Sequence, residues 1–243
     1  DVLRGQLLAD AAGFVSARIH SPTSGKVSAI TECVGPAGVK MPAVEITSDG
    51  EDKADTSLAP INNWVDATVD ELKERIAAAG IVGMGGAAFP THVKLSPPPA
   101  KKIDVLILNG VECEPCLTAD HRLMLEQPEE IILGAKIIAR VLGAKDVYVG
   151  IEANKPDAIA LMQEKCAQQG IAVASLRVRY PQGAEKQLIY ALTGRKVPSG
   201  GLPMDVGCVV QNVGTAVAVA QAVAEGKTLY ERVTTITGDP VME

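Results

Sequence analysis

The sequence is short of aromatic residues, which make up 3% of its 243 residues and include a single tryptophan. It also lacks an excess of basic residues, because 23 lysines and arginines are outnumbered by 29 acidic residues and the formal net charge is −6. A nucleic-acid partner or a polybasic membrane anchor would require clustered positive charge. The composition therefore predicts neither nucleic-acid binding nor electrostatic attachment to a membrane surface.

Cysteine is scarce as well, and the odd number of five favours a reducing compartment over a disulfide framework. The most apolar stretch, 209–224, is interrupted by Gln211 and Thr215, so no run reaches the roughly 20 apolar residues that a bilayer requires. The chain is therefore predicted to be cytosolic and to lack a transmembrane segment. Because it begins at Asp1 without a signal-peptide pattern or an initiator methionine, we expect it to be a piece of a longer protein.

The order of predicted elements divides the chain into two parts. Residues 1–56 alternate in short β-like runs separated by glycine and proline, which predicts a small all-β module, and the polar run 47–57 is predicted to be a loop or linker. Residues 57–238 alternate between helices and strands, ending in a predicted strand at 232–238. This alternation predicts an α/β domain with a mainly parallel sheet flanked by helices, and a ligand site where strands end.

A glycine-rich loop carries the strongest local signal. Gly83, Gly85 and Gly86 lie shortly before Phe89 and Lys94. Glycines allow a backbone to approach a flat or phosphorylated ligand closely, and the N–H groups of such a loop can bind an anion. The loop follows a predicted helix, unlike the standard dinucleotide fingerprint, which follows a strand. The aromatic face and the cation favour a nucleotide, with a plain flexible turn as the alternative.

An acidic turn follows the first predicted buried strand. Asn109, Glu112, Glu114 and Asp120 come just beyond that strand, at the edge where an open α/β sheet binds its ligand. Their carboxylates can accept hydrogen bonds from ring N–H or ribose hydroxyl groups. A solvated acidic turn is the alternative interpretation.

Cys113 and Cys116 form a C-x-x-C pair in the same turn. Zinc would need a second ligand pair, and the other cysteines and the histidines offer none nearby. A redox pair would need a helix that begins at the first cysteine, whereas Pro115 lies inside the pair. Neither metal binding nor dithiol chemistry is predicted.

Two further segments place polar residues at predicted helix starts. Gly183 and Glu185 precede one helix, and Gln211, Asn212 and Thr215 lie at the start of another. Amides and a hydroxyl at such a position can act with the helix dipole to hold a phosphate. Helix capping by Asn212 is the alternative.

Together the ordered motifs GxGGAxFPTxxK, N-x-x-E-x-E-P, GAEKQL and QNVGT resemble the flavin-binding domain shared by the NADH-binding flavoprotein subunit of respiratory complex I and the C subunit of Rnf electron-transport complexes. The resemblance covers residues 80–238 and is closest to the Rnf branch. It implies that FMN sits on the glycine loop, takes a hydride from NADH and passes electrons singly to iron–sulfur clusters.

The resemblance also implies individual contacts, carried over by position. The residues expected to surround FMN are Gly83, Gly85, Gly86, Lys94, Asn109, Glu112, Gly183, Glu185, Gln211, Asn212 and Thr215. Phe89 and Glu114 are expected to face NADH. No metal site is expected in this chain, because cluster ligation needs closely spaced cysteines. The 4Fe-4S clusters are expected only in the C-terminal part of the parent protein, and residues 239–243 are expected to begin a following domain.

Residues 1–56 resemble the later part of a biotinyl/lipoyl-type barrel-sandwich module. Carrier versions bear a modified lysine at a hairpin tip, which here falls near Gly13 and Phe14. Since no lysine stands there, the resemblance implies a structural module.

The function implied is an NADH:FMN oxidoreductase segment that docks with the other subunits of an Rnf-type membrane complex, peripherally on the cytoplasmic face of the bacterial inner membrane. A flavin-dependent cobalamin reductase of bacterial microcompartments is one alternative, because it has a similar glycine loop. A scaffold that has lost the flavin is another, motivated by departures from the complex I branch at Met84, Val111 and Ala184.

Overall fold

The N-terminal part consists of small antiparallel sheets, as the sequence predicts. In the computed structural model, which describes residues 1–35 and 38–238, β1 (Leu7–Ala9) pairs with β2 (Ile19–His20). A longer hairpin pairs β3 (Gly25–Val34) with β4 (Lys40–Ser48). The domain boundary at residue 56 remains a prediction.

The polar run 47–57, predicted to be a loop or linker, is a loop beyond residue 48 that is attached to the start of the chain. Residues 47 and 48 still belong to β4, where Thr47 pairs with Lys26. Beyond them, the Arg4 amide donates to the Lys53 carbonyl and the Asp55 amide donates to the Arg4 carbonyl, both at 2.8 Å. Because these backbone hydrogen bonds tie the segment to the first residues of the chain, it is not a free linker.

The second part is an α/β domain whose four-stranded parallel sheet has the order β7-β6-β5-β8. A short 3-10 helix, Pro203–Val206, precedes β8. The helices and strands are α1 (Val69–Ala78), α2 (Thr91–Lys94), β5 (Val105–Gly110), α3 (Ala119–Glu126), α4 (Pro128–Leu142), β6 (Asp146–Glu152), α5 (Pro156–Cys166), β7 (Ile171–Leu176), α6 (Glu185–Thr193), β8 (Cys208–Asn212) and α7 (Val213–Ala224). The predicted fold class is confirmed.

Helix α1 begins and ends where its sequence predicts. The Thr68 hydroxyl accepts from the Glu71 amide at 3.2 Å and the Thr68 amide donates to the Glu71 carboxylate at 2.7 Å, which forms the predicted capping box. After the helix, Gly80 has φ of +70°, and a Cβ there would lie 2.5 Å from the carbonyl oxygen of Arg18. Glycine is therefore required both by this backbone conformation and by the contact with the N-terminal module.

The sheet buries both of its faces, because side chains alternate along each parallel strand. On β5, Leu106 and Leu108 belong to the larger core with α1, α4, α5 and α7. Ile107 belongs to a smaller core on the opposite face, where Leu188 and Ile189 of α6 are buried. The helices on the two faces thus hold the carboxyl ends of β5 and β8 at a fixed edge.

One expectation about local structure is wrong, because residues 232–238 form no strand, and one element was not predicted, helix α3, which follows the turn after β5. In the former segment, the Arg232 guanidinium donates to the Met84 carbonyl at 3.3 Å. The Thr235 hydroxyl accepts from the amides of Thr118 and Ala119, both at 3.0 Å. These contacts hold the segment against the glycine loop and the start of α3, away from strand pairing.

Helix α7 is buried along most of its twelve residues, and this burial explains the most apolar run of the sequence. It approaches α4 so closely that a Cβ on Gly134 would lie 1.9 Å from the carbonyl oxygen of Ala216. No helix in the part of the chain that the structure describes has the length and apolar character needed to cross a membrane.

Replacing Gly134 by alanine should therefore force α4 and α7 apart. We expect Gly134→Ala to lower the free energy of unfolding by about 2–3 kcal/mol, as overpacking of a core does. Denaturant unfolding measures this loss. Gly13→Ala is the matched control, because a Cβ there meets no atom within 4 Å. Equal stability of both variants would contradict the close approach of the two helices.

Candidate functional site

A cavity of about 540 Å³ lies at the carboxyl end of β5 and along β8. Its walls are the glycine loop, which we define as residues 83–89, the end of α2, the end of β5, strand β8, the start of α6 and the 3-10 helix with the residue before it. Nine of the thirteen predicted site residues line it, namely Gly83, Gly85, Phe89, Lys94, Asn109, Gly183, Glu185, Gln211 and Asn212. Most of the predicted site residues thus lie on one continuous surface.

The strand register brings two asparagines together at the cavity. Asn109 and Asn212 are direct partners in the β5–β8 pairing. The Asn109 amide group donates to the Gly183 carbonyl at 2.9 Å, while its oxygen accepts from the Val111 amide at 3.1 Å. Asn109 therefore connects the end of β5 to the segment that leads into α6.

The two ends of the glycine loop are hydrogen-bonded to each other, and the loop is also attached to helix α7. The Gly83 amide donates to the Phe89 carbonyl at 2.8 Å, and the Met84 amide donates to the hydroxyl of buried Thr215 at 3.0 Å. A Cβ on Gly85 would have only the Cβ of Asn212 within 4 Å, at 3.7 Å. The loop thus presents bare backbone to the cavity, as close contact with a flat ring requires.

Gln211 provides an independent indication of a bound ligand. The residue is only 3% exposed, and its side-chain nitrogen has no hydrogen-bond partner among residues 1–35 and 38–238. Buried polar groups in folded proteins are nearly always hydrogen-bonded, so this donor in the cavity wall is a position for a ligand acceptor. A flavin ring carries carbonyl oxygens and ring nitrogens that accept hydrogen bonds, and the residues present therefore fit FMN.

An ion pair crosses the cavity from α2 to α6. The Lys94 ammonium lies 2.7 Å from the Glu185 carboxylate, and both side chains are partly exposed to solvent. An anionic group in the cavity could compete with Glu185 for this cation. Lys94 and Glu185 together place one positive and one negative charge beside the glycine loop.

Four predicted site residues lie outside the cavity lining. Gly86 has φ of +118° and shapes the loop, and Thr215 supports the loop from behind. The Glu112 carboxylate accepts from the first amides of α3, at 2.9 and 3.2 Å, and so caps that helix. Glu114 is exposed. The proposed contacts of these four residues with FMN or NADH remain predictions.

The carboxyl group of Asp120 lies behind the cavity wall. Its carboxylate accepts from the Asn212 side-chain amide at 2.7 Å, and the oxygen of Asn212 accepts from the Gly214 amide at 2.8 Å. Burial, and after it the negative charge of Glu112, raises the pKa of Asp120 to about 7, although the hydrogen bond from Asn212 acts in the opposite direction. The protonation state of a group that holds Asn212 therefore changes near neutral pH.

The sequence did not indicate the apolar side of the cavity. Leu202, Pro203 and Met204 line it from the 3-10 helix, and Val209 lines it from β8. These residue types carry no chemical signal, and only the glycines at 200 and 201 marked a turn before them. Apolar lining of this kind favours a flat ring over a fully hydrated ligand.

Within the described residues, only one cysteine of the C-x-x-C pair forms a hydrogen bond near the cavity. The Cys113 sulfur accepts from the Gly183 amide at 3.3 Å, and Cys116 is exposed. Among residues 1–35 and 38–238, no group of three or more candidate ligands is arranged to hold a metal ion. Cys113 thus helps to fix the turn at Gly183.

Two family models match the chain. The Nuo51 FMN-binding domain matches residues 76–221, and the RnfC Barrel sandwich hybrid domain matches residues 1–51. These matches coincide with the α/β domain that contains the cavity and with the N-terminal sheets.

Curated relatives match almost the entire chain. It is 51% identical over 243 residues to the C subunit of the proton-translocating ferredoxin:NAD(+) oxidoreductase complex of Clostridium ljungdahlii, covering 100% of this chain and 53% of that protein. It is 46% identical over 239 residues to the C subunit of the ion-translocating oxidoreductase complex of Pseudomonas aeruginosa, covering 98% of this chain and 31% of that protein. The chain thus spans about half the length of the first of these relatives and less of the second.

A solved structure with a similar fold is an NAD+-reducing [NiFe]-hydrogenase in the air-oxidized state, with a TM-score of 0.55 and 29% identity. The similarity covers 63% of this chain and 30% of that chain. Together with the matched family models, these relatives confirm the resemblance on which the expected site residues rest. The chain belongs to the Nuo51 FMN-binding domain family, and within it to the RnfC branch.

Proposed function

We propose that this chain is the FMN-binding, NADH-oxidising segment of an ion-translocating ferredoxin:NAD(+) oxidoreductase complex. The observation that carries the proposal is the convergence of the glycine loop, Asn109 and Asn212 on one cavity, where the Gln211 side-chain nitrogen lacks a partner within the described part of the chain. The relatives with similar sequences are named as subunits of such complexes.

The residues of the chain would bind and orient FMN. Gly83 and Gly85 provide the backbone surface for the ring, and the side chains of Asn109, Gln211 and Asn212 provide polar contacts along its edge. When bound, FMN supplies the hydride and single-electron chemistry, so no side chain of this chain needs to act as an acid or a base. The protein contributes position and the exclusion of water.

Phe89 and Glu114 are proposed to receive NADH. Phe89 lines the cavity yet remains 43% exposed, so one part of its ring is accessible to a second planar group. Glu114 is exposed in the turn after β5, where a carboxylate can accept from ribose hydroxyl groups. Stacking against Phe89 would orient the nicotinamide over the flavin.

The electrons are proposed to leave through 4Fe-4S clusters in the remainder of the parent protein. The partners are then the other subunits of an Rnf-type complex, with the chain attached peripherally on the cytoplasmic face of the bacterial inner membrane. The three departures that motivate the scaffold alternative do not fill the cavity. Val111 is fully buried, the Met84 sulfur faces Gly214, and Ala184 lines the cavity with a small side chain. A cobalamin reductase is not favoured by any described contact.

The proposal is tested by adding FMN to the purified chain and titrating with NADH under anaerobic conditions. We expect the chain to retain FMN and the absorbance of the oxidised flavin to decrease in proportion to the NADH added. Retention of FMN without this bleaching would contradict NADH oxidation. A chain that does not retain FMN would contradict the cofactor assignment itself.

Replacement of Gly85 by valine should abolish FMN binding without unfolding the chain. The added side chain would enter the cavity, where only Asn212 lies nearby, so the fold can accept it while the ring cannot bind. Flavin fluorescence titration measures the affinity, and circular dichroism checks the fold. Gly13→Val is the control, because that glycine has open space around it. Unchanged affinity in Gly85→Val would remove the glycine loop from the site.

Phe89→Ala should weaken the use of NADH more than the binding of FMN. Because one aromatic stacking surface is lost, we expect the NADH concentration for half-maximal flavin reduction to rise about three- to tenfold. Stopped-flow flavin reduction at several NADH concentrations measures this rise. Phe14→Ala, at the other phenylalanine of the chain, should behave as the unmodified protein. Equal losses of FMN and NADH binding would assign Phe89 to the flavin alone.

A further inference from the structure

Asp120 is held directly behind a residue of the cavity wall. Its carboxylate accepts from the Asn212 side-chain amide at 2.7 Å, whereas Asp120 itself is not part of the lining. The oxygen of the Asn212 side chain caps α7 by accepting from the Gly214 amide, and its nitrogen donates to Asp120 at 2.7 Å and to the Asn109 carbonyl at 3.4 Å. The shorter of the two donated bonds goes to Asp120, so the orientation of this amide in the cavity wall depends on the carboxylate behind it.

Charged groups face Asp120 from each neighbouring segment. Glu112, after β5, adds negative charge, and its carboxylate accepts from the Asp120 amide at 2.9 Å. Lys155, before α5, and Arg232, from the segment after α7, add positive charge. His121 on the same helix pairs with Asp157 of α5 at 2.8 Å. Burial and Glu112 dominate, so the pKa of Asp120 is raised to about 7.

We propose that Asp120 is a positioning residue for flavin binding: its carboxylate fixes the orientation of the Asn212 side-chain amide in the cavity wall, and loss of its proton tightens the binding of the flavin. This inference rests on the proposed function. An ionised carboxylate has only acceptor oxygens, and a hydrogen bond to it is about twice as strong as one between neutral groups. A protonated carboxyl holds the amide more weakly and can turn its own O–H toward other acceptors.

A purely structural role would not favour a carboxylate at this position. Because the folded state raises the pKa of Asp120, it binds the proton more tightly than the unfolded chain does. The stabilising contribution is then complete below about pH 4 and is lost as the pH rises through about 7. The chain thus gives up stability at neutral pH to keep a charged acceptor behind Asn212.

The test is a flavin titration followed by fluorescence quenching, with the unmodified chain, Asp120→Asn and Asp157→Asn. Between about pH 6 and about pH 8, we expect the affinity of the unmodified chain for FMN to rise about three- to tenfold, since the bond from Asn212 becomes charge-assisted. Asp120→Asn keeps an acceptor oxygen but cannot ionise, so its affinity should lack this rise. Asp157→Asn removes a nearby carboxylate that pairs with His121 and not with Asn212. Its affinity for FMN should therefore still rise between these pH values.

Riboflavin serves as the second probe, because the phosphate of FMN titrates near pH 6 like other phosphate monoesters. The difference between the unmodified chain and Asp120→Asn should be the same with both flavins. Thermal unfolding without flavin is the second measurement. The unfolding temperature of Asp120→Asn, relative to the unmodified chain, should be higher at about pH 8 than at about pH 5, because only the unmodified chain must bury an ionised carboxylate.

The outcomes separate this inference from the proposed function. If the unmodified chain binds both flavins and Asp120→Asn shows the same pH profile, the positioning role of Asp120 is wrong while the flavin site stands. If the unmodified chain binds neither flavin, the positioning role and the proposed function are both wrong. A pH-dependent difference in stability without any difference in flavin affinity would also contradict the positioning role.

Discussion

The direct passage of β8 into α7 is the constraint on which the site depends. Strand β8 ends at Asn212 and helix α7 begins at Val213, so no loop separates them. The first turn of α7 is therefore fixed at the carboxyl end of the sheet. From there the Thr215 hydroxyl holds the Met84 amide of the glycine loop, and the Asn212 side chain lies between the cavity and Asp120.

The rest of the core keeps this turn in place. Gly134 allows α4 to pack against the backbone of α7, and the segment after α7 returns to the site through Arg232 and Thr235. Each of these contacts fixes the position of the backbone. A flat cofactor requires a fixed backbone because a whole face of its ring lies against it. The packing of α7 thus determines the shape of the cavity, and the polar side chains in its wall would orient a bound ligand.

The sequence predicted the helices and strands whose pattern depends on neighbouring residues. It did not predict the structure of segments that depend on contacts with residues distant in the chain. The apolar run of β5 and the capping box of Thr68 and Glu71 depend only on neighbouring residues, and both are observed. The β-branched run at 232–238 suits a strand, but its side chains bind the glycine loop and α3. Helix α3 itself depends on the Glu112 carboxylate, which caps it from a residue with φ of +49°. No spacing rule indicates such a contact.

The candidate site was predicted to the extent that glycines, amides and charges mark it, while its apolar wall at 202–204 has no chemical signature. The central claim is that one flavin lies flat against the glycine loop between Asn109 and Asn212. The crystal structure of the chain grown with FMN tests this claim most directly. We predict ring density in van der Waals contact with the backbone at Gly85 and an acceptor of the ring at the Gln211 amide. Ring density elsewhere, with side chains closing the cavity, would contradict the account.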